Sequence, residues 1–382
     1  MSQTIKSSSA MKKLLWVSII LSAVTFMCQP VADPDLWWHI TVGRWIIAHK
    51  EIPQVDLWNM FAVNKPWVPY SWSNEVVLAW VDSNFGDYGL LAAKCLLILA
   101  LVSSLCFCLS KVAGSWFIGT FFGLFASFGT LDHLTLRPQS FVWILFTYLI
   151  FTADRIKEDG FNWKRGLCCV LIGSAWANSH LSAFLGVLLT LSWTYTPKNK
   201  SLYQLTTLCF LLGTLITPHF GAEWLIFFNK ASHPMEYNII REFQPANILQ
   251  FATVFLVLAV VLQGVFFHFQ QKLLNPIVLI VSILFTLGSL AVVKFIPFAV
   301  ILGTFILAKL WSKAGGEMRS FGNISESFLR LEALWNKIPV QGLTFVFLCI
   351  VIRNSFAVYS DPIHEMVVPV SAMDYILSLI HI

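Results

Sequence analysis

The chain has 382 residues, of which 57% are hydrophobic and only 12% are charged, and its mean hydropathy is +0.72. Soluble domains carry about 25% charged residues, so this composition excludes an ordinary soluble protein and predicts a polytopic membrane protein. The formal net charge is only +5 and the basic residues form no cluster, which argues against nucleic acid as a partner.

Apolar runs divide the chain into candidate membrane helices. The first follows Lys12 and Lys13 and reaches about Val31 without a small-residue cleavage site, so we interpret it as an uncleaved helix, not a signal peptide. Spanning a bilayer takes about 20 residues, and eleven runs approach that length. They lie near residues 14–32, 88–110, 115–131, 139–153, 166–179, 181–197, 202–217, 249–271, 274–292, 294–312 and 338–356. The expected fold class is therefore an all-α polytopic membrane protein.

The distribution of basic residues predicts the orientation of these spans. With the N-terminus in the cytoplasm, 16 of the 25 Lys and Arg residues fall on the cytoplasmic side. Because cytoplasmic loops carry an excess of Lys and Arg, this bias favours a cytoplasmic N-terminus and an outside C-terminus. The loop 33–87 is then expected outside.

Two carboxylates, Asp33 and Asp35, follow the first span in the segment 33–40, DPDLWWHI. Carboxylates at a membrane boundary are costly unless they are hydrated, paired or functional. One alternative is a helix cap or a partner for Arg44. The other is a catalytic base, because partial desolvation raises the basicity of a carboxylate. An Asp-x-Asp pattern also supplies hard oxygens, which leaves a divalent metal open.

Interfacial helices are expected in the outer segments. Trp38, Val42, Trp45 and His49 recur at helical spacing in a segment that Pro53 ends. Two more such helices are predicted over 72–82 and 221–229. The tryptophans in the loop are typical of the aromatic belt at a membrane interface. A second interpretation is a platform on which a sugar ring stacks.

Further polar residues converge on the predicted outer face. Arg137 is the best candidate for holding a phosphate, because a guanidinium binds two oxygens at once; the alternative is snorkelling at a span end. Glu75 is expected to pair with Arg44 or Lys65, or to orient an acceptor. Lys294 and Arg241 are weaker candidates for binding a phosphate. Asp132 and His133 are candidates for a base or a metal ligand. The remaining candidates are His39, His180 and His219.

Several short motifs together resemble a known family. They are DPDLWWHI (33–40) with Gly43 and Trp45, IPQVD (52–56), WVPYSWSNE (67–75), LRPQ (136–139), WANSH (176–180), TPHFG (217–221) and REFQP (241–245). Their order along the chain resembles that in bacterial membrane-embedded glycosyltransferases with the GT-C fold, relatives of the dolichyl-phosphate-mannose protein mannosyltransferases. The sequence departs from that pattern at Tyr70 and Ser71, where relatives often have a His followed by an acid or amide.

This resemblance implies a GT-C-like bundle of about 11 transmembrane helices over residues 1–356, in the bacterial inner membrane. It implies transfer of a sugar from a polyprenyl-phosphate donor to a glycan, lipid or protein acceptor at the outer face. Asp33 and Asp35 would be catalytic, and the expected substrate-binding residues are Arg137, His39, Glu75, His180, Arg241 and Lys294. Residues 357–376 resemble the start of a truncated outer domain, and residues 377–382 resemble a sequencing-adaptor artefact.

Two other functions stay open on the sequence: a transporter or flippase, and a non-enzymatic membrane component of surface-polymer assembly. Polar groups gathered at one face, not at the midplane between two repeats, argue against transport. The eight cysteines all fall in hydrophobic segments without zinc-ligand spacing. We interpret them as small apolar residues, not as disulfides.

Overall fold

A computed structural model describes residues 2–59, 62–193, 200–231, 241–269, 276–314 and 340–359. Within these ranges the chain is helical and contains no strand beyond an isolated bridge between Val55 and Pro66. The all-α prediction is thus confirmed for the described residues. The α-helices are α1 (Ser2–Met27), α2 (Asp35–His49), α3 (Trp72–Ala113), α4 (Trp116–Phe128), α5 (Pro138–Asp159), α6 (Trp163–Ala177), α7 (Ala183–Trp193), α8 (Lys200–Thr214), α9 (Ala222–Ala231), α10 (Phe251–Phe269), α11 (Pro276–Ala291), α12 (Ile296–Ala314) and α13 (Val340–Tyr359).

Each of the eleven apolar runs coincides with a helix, since α1, α3 to α8 and α10 to α13 overlap them in order. By length and composition, two helical stretches in the described ranges could cross a membrane, Trp72–Ala113 and Val293–Lys313. Shorter apolar helices include Trp116–Phe128, Phe251–Phe266 and Ile277–Ala291. The core helix of a soluble protein also meets these criteria of length and apolar composition. The second stretch, Val293–Lys313, is mostly buried, as such a core helix is. Residues 357–359 continue α13, and the rest of the expected outer domain and the terminal segment lie outside the described residues.

The core of the bundle lies around α3, α5 and α12. Helix α3 packs against α1, α2, α4, α5 and α12. Its buried face carries Ile98, Leu101 and Leu105, which join the same hydrophobic cluster as Trp143 and Phe146 of α5. Close packing of these side chains against α5 and the neighbouring helices places α3 at the centre of the bundle.

Helix α3 changes direction at Gly86, whose backbone has φ 58° and ψ −151°. That conformation is readily available only to glycine. The kink separates an N-terminal part, over the predicted interfacial segment 72–82, from the apolar part over the predicted span 88–110. The sequence therefore predicted both segments, but not that they form one kinked helix.

Helix α2 packs very closely on the start of α3, and Gly43 makes this approach feasible. A Cβ placed at Gly43 would lie 2.0 Å from the backbone oxygen of Glu75 and 2.8 Å from Cβ of Ala79. Real Cβ atoms do not come so close to backbone, so only glycine fits here. The expected helices over the Trp38–His49 segment and 221–229 correspond to α2 and α9.

Candidate functional site

Asp33 lies at the turn between α1 and α2 and is almost fully buried, with its side chain 3% exposed. Its Oδ1 accepts a hydrogen bond from the backbone N–H of Asp35 at 3.1 Å. This contact satisfies one of the free N–H groups at the start of α2, as a capping residue does. The N-cap residue itself is Pro34, which makes no side-chain capping bond, so Asp33 supports the helix start from one residue before the cap.

Arg137 binds three carboxylates from separate parts of the chain. It precedes α5 in extended conformation, with Pro138 at the first helical position. Its Nε and Nη2 donate to the two oxygens of Asp33. Nη2 also lies 3.1 Å from Oδ2 of Asp35. The third nitrogen, Nη1, donates to Oε1 of Glu242 at 2.5 Å. Both aspartates therefore face Arg137, and not Arg44, the partner considered from the sequence, which contacts Asp82.

The electrostatic environment keeps Arg137 charged. Burial of the guanidinium acts to lower its pKa, but the hydrogen bond and charge of Asp33, with the charges of Glu242 and Asp35, raise the pKa of Arg137 above its ordinary value. All three nitrogen atoms of the guanidinium face carboxylates. Arg137 is therefore already neutralised, which weakens the expectation that it is the main phosphate-binding residue.

The two aspartates differ in their access to solvent. The Asp35 side chain is 63% exposed, and only its Oδ2 faces Arg137. Asp33, by contrast, uses both carboxylate oxygens in the ion pair. Asp35 is thus the one of the two carboxylates that a substrate can reach.

His39 and Glu75 form a second buried pair. His39 Nδ1 lies 3.0 Å from Glu75 Oε1, and the Glu75 side chain is only 3% exposed. The expectation that Glu75 pairs with Arg44 or Lys65 is wrong. Arg44 instead contacts Asp82, because both lie on the outer side of the α2–α3 pair, while Glu75 faces inward.

A cavity of about 540 Å³ joins these groups. Its volume falls within the range of about 300–1,000 Å³ that is typical of small-molecule sites. Its polar lining comes from six separate segments of the chain, and Phe184, Phe227, Phe243 and Phe295 supply an aromatic wall. The polar and charged residues that line it are Asp35, His39, Tyr70, Ser71, Arg137, Gln139, His180, Ser182, Glu242 and Lys294.

Most of the residues singled out from the sequence meet at this cavity. Asp35, His39, Arg137, His180 and Lys294 line it. Behind that lining, Asp33 contacts Arg137 and Glu75 contacts His39. The side chain of Arg241 lies outside the described residues.

Five of the polar lining residues were not among the predicted site residues, and two of these, Glu242 and Tyr70, contact residues that were. Glu242 was noted only within the REFQP motif, and its contact with Arg137 joins residues 105 positions apart. Tyr70 was noted as a departure from the family pattern, and its ring meets His180 edge-on with centroids 6.4 Å apart. The only available signal for either was its position inside a motif.

His180 and Lys294 are held by local contacts. His180 Nδ1 accepts a hydrogen bond from the Ser182 backbone N–H at 3.1 Å, so the proton of a neutral ring is on Nε2. Lys294 Nζ lies 4.3 Å from the centroid of the Phe243 ring, a cation–π contact. This contact fixes the Lys294 amine within the lining of the cavity.

Asp132 has a structural role. Its Oδ2 accepts a hydrogen bond from the Ala252 backbone N–H at 2.8 Å, which caps α10. Its neighbour His133 has a lowered pKa because of burial and the charge of Lys294, although Asp132 and Glu242 act in the opposite direction. His133 is therefore favoured as neutral, and the expected base or metal role of this pair has no support from the geometry.

The donor set does not fit a resident metal ion. Among the described residues, no three His, Cys, Asp or Glu side chains cluster as ligands. Asp33 uses both oxygens and Asp35 one oxygen in contacts with Arg137. A cation would have to compete with that guanidinium for the same oxygens.

The tryptophans next to the cavity form a compact cluster. Trp38 meets Trp58 and Trp67 edge-on, with centroids 5.6 Å and 6.2 Å apart, and Trp58 also meets Trp45. Trp38 lines the cavity as well. The cluster therefore combines a packing role in the outer loop with one ring that a ligand could contact.

Comparison with models of known protein families and with curated proteins finds no match to this chain.

Proposed function

We propose that the protein is a membrane-embedded glycosyltransferase that moves a sugar from a polyprenyl-phosphate donor to a hydroxyl-bearing acceptor at the outer face of a bacterial inner membrane. The observation that carries the proposal is the cavity, which the open carboxylate of Asp35, the amine of Lys294 and four phenylalanines line together. Transfer from a prenyl phosphate needs a proton acceptor, a cation for the leaving phosphate and an apolar path for the chain. The cavity offers a candidate for each.

Exposed apolar surface supports the membrane part of the proposal. Outward-facing leucines and other large apolar residues are at least half exposed on several helices, for example Leu208 of α8, Val261 of α10, Leu284 of α11, and Phe345 and Ile352 of α13. Monomeric soluble proteins rarely expose so much apolar surface, whereas lipid-facing helices do. The eleven helices over apolar runs are proposed as spans of a GT-C-like bundle on this basis.

The residues divide into three roles. Asp35 is the proposed base, because it is open to the cavity while Asp33 is held in the ion pair. Lys294 is the proposed phosphate-binding residue, because Arg137 is already neutralised by carboxylates. Arg137 and Asp33 then position Asp35, and His39, which Glu75 holds from behind the lining, lies one helical turn after Asp35 on α2.

A transfer assay tests this function. Purified full-length protein in lipid nanodiscs is supplied with undecaprenyl-phosphate-linked radiolabelled hexoses and pentoses, and an envelope extract serves as the acceptor. Wild type is expected to move label to the extract, and Asp35→Asn to lose at least 100-fold in rate, because an amide cannot accept the proton. The matched control is Asp82→Asn, which removes a carboxylate outside the cavity and should keep the wild-type rate.

Two outcomes would contradict the proposal. Transfer by Asp35→Asn at the wild-type rate would remove Asp35 as the base. Wild-type protein that carries labelled lipid across a vesicle membrane without transferring the sugar would instead indicate a flippase.

A further inference from the structure

The end of α1 and the middle of α3 hold two cysteines in close contact. Cys28 directly follows α1, and its Sγ lies 2.6 Å from Sγ of Cys95 in α3, a residue 67 positions later. A disulfide bond is about 2.05 Å long and also needs the two backbones within reach of each other. The two sulfur atoms are not bonded in the structure, but 2.6 Å lies well inside their van der Waals separation, so a small movement would bring them to bonding distance. We propose that Cys28 and Cys95 form a disulfide bond, which replaces our interpretation of them as simple apolar residues.

A second contact fixes the same junction, next to the sulfur pair. Lys94 is buried, and its Nζ donates to the backbone oxygens of Gln29 at 2.8 Å and Pro30 at 3.1 Å. The residues after Cys28 are therefore tied to α3 through the neighbour of Cys95. Both contacts restrain the short segment that leads to Asp33, so the bond would hold the Asp33–Arg137 pair in place.

An opening beside the sulfur pair gives an oxidant access to it. Cys28 and Cys95 line a cavity of about 300 Å³ together with Thr25, Tyr88 and Tyr359. The rings of Tyr88 and Tyr359 lie 5.1 Å apart, and both residues are more than half exposed. Cys95 is only half-buried. A thiol–disulfide exchange partner can therefore reach Cys95 from this side.

The reaction is an exchange that balances without a cofactor. A deprotonated Cys95 attacks the disulfide of a thiol oxidase at the outer face and releases one oxidase thiol. The Cys28 sulfur then attacks the mixed disulfide and releases the second. Two protein thiols lose two protons and two electrons, and the oxidase disulfide becomes two thiols. The site requires the outer orientation of the proposed function, because cytosolic thiols are kept reduced.

Thiol trapping in native membranes tests the bond. The full chain is expressed with its other six cysteines replaced by serine, the membranes are quenched in acid, and free thiols are blocked with N-ethylmaleimide. After reduction, remaining thiols are labelled with a maleimide-polyethylene glycol of 5 kDa. We expect a gel shift of two labels that appears only with reductant. In Cys28→Ser, the remaining Cys95 should be blocked at the first step and give no shift.

The unaltered chain gives a second readout that does not depend on the serine background. Its thermal unfolding midpoint should fall by several degrees when a reductant is added, because a cross-link over a long loop restrains the unfolded chain. The midpoint of Cys28→Ala/Cys95→Ala should not change with reductant. Free thiols at both positions in native membranes would overturn the disulfide. A separate experiment reports the orientation of the chain in the membrane. Asn64→Cys is placed in a chain whose eight native cysteines are replaced, and a thiol reagent is added from outside. Its labelling distinguishes a missing disulfide from a wrong orientation.

Discussion

At the scale of single residues, Asp33 and Arg137 depend on each other. The Asp33 side chain is 3% exposed and that of Arg137 is 18% exposed, so little water reaches the pair. Removing one partner of a buried ion pair leaves an uncompensated charge, which costs about 3–5 kcal/mol, whereas removing both partners costs much less. The pair is consequently a structural support as well as part of the cavity.

We therefore expect Arg137→Ala to lower the free energy of unfolding by about 3 kcal/mol, because the buried carboxylate of Asp33 loses its counterion. The double variant Asp33→Asn/Arg137→Gln should recover much of that loss. Denaturation of the detergent-solubilised protein, followed by tryptophan fluorescence, measures both. Arg44→Ala is the control: the Arg44 side chain is 59% exposed, although that of Asp82 is only 8% exposed, so the loss of stability should be smaller, about 1 kcal/mol. Equal effects of Arg137→Ala and Arg44→Ala would contradict the buried-pair account.

At the scale of elements, α2 reaches its position only because Gly43 lets it touch α3. The contact holds His39 beside Glu75, since both side chains lie along the same α2–α3 interface. A displaced α2 would separate this pair and shift Asp35, which begins the same helix.

Gly43→Ala is expected to destabilise the protein by at least about 1–3 kcal/mol, the usual cost of overpacking, because its Cβ would meet the Glu75 backbone. Gly264→Ala in α10 is the matched control. A Cβ there meets nothing within 4 Å, so the same substitution should be neutral or slightly stabilising through helix propensity. Thermal unfolding of both variants measures the difference. A Gly43→Ala protein as stable as Gly264→Ala would show that the α2–α3 contact is looser than described.

Helix positions could be predicted from the sequence better than contacts could. Long apolar runs predict α4, α10 and α11. A helix that faces lipid or the core of the bundle needs apolar side chains, whichever helix it packs against. The kink at Gly86 joins two predicted segments into α3, and an isolated glycine carries no sign of whether a helix ends or bends there. Pairings such as Arg137 with Glu242 connect residues 105 positions apart, so only the packed bundle determines them. The sequence indicated the charged groups, but it did not determine their partners.

At the scale of the whole molecule, the helices bring polar groups from distant segments to one end of an otherwise apolar bundle. The cavity there is lined by segments that run from Asp35 to Phe295 in the sequence. At the opposite end of α5, Lys309 binds Asp154 at 2.6 Å and Glu158 at 2.8 Å, which ties α5 to α12. This second cluster is a structural tie in our account, and the cavity is the proposed binding place of the donor.

The measurement that tests this claim most directly is photo-cross-linking with a prenyl monophosphate that carries a benzophenone near its phosphate. The full-length protein in nanodiscs is irradiated with the probe, and the labelled peptides are identified by mass spectrometry. We expect label on peptides containing Phe227, Phe243 or Phe295, competed by undecaprenyl phosphate. Lys294→Gln should weaken labelling several-fold because it removes the proposed phosphate partner, while Lys65→Gln, at an exposed lysine in the outer loop, should not. Two results would contradict the account. The first is labelling that undecaprenyl phosphate does not reduce. The second is labelling of peptides away from the cavity that is unchanged in Lys294→Gln.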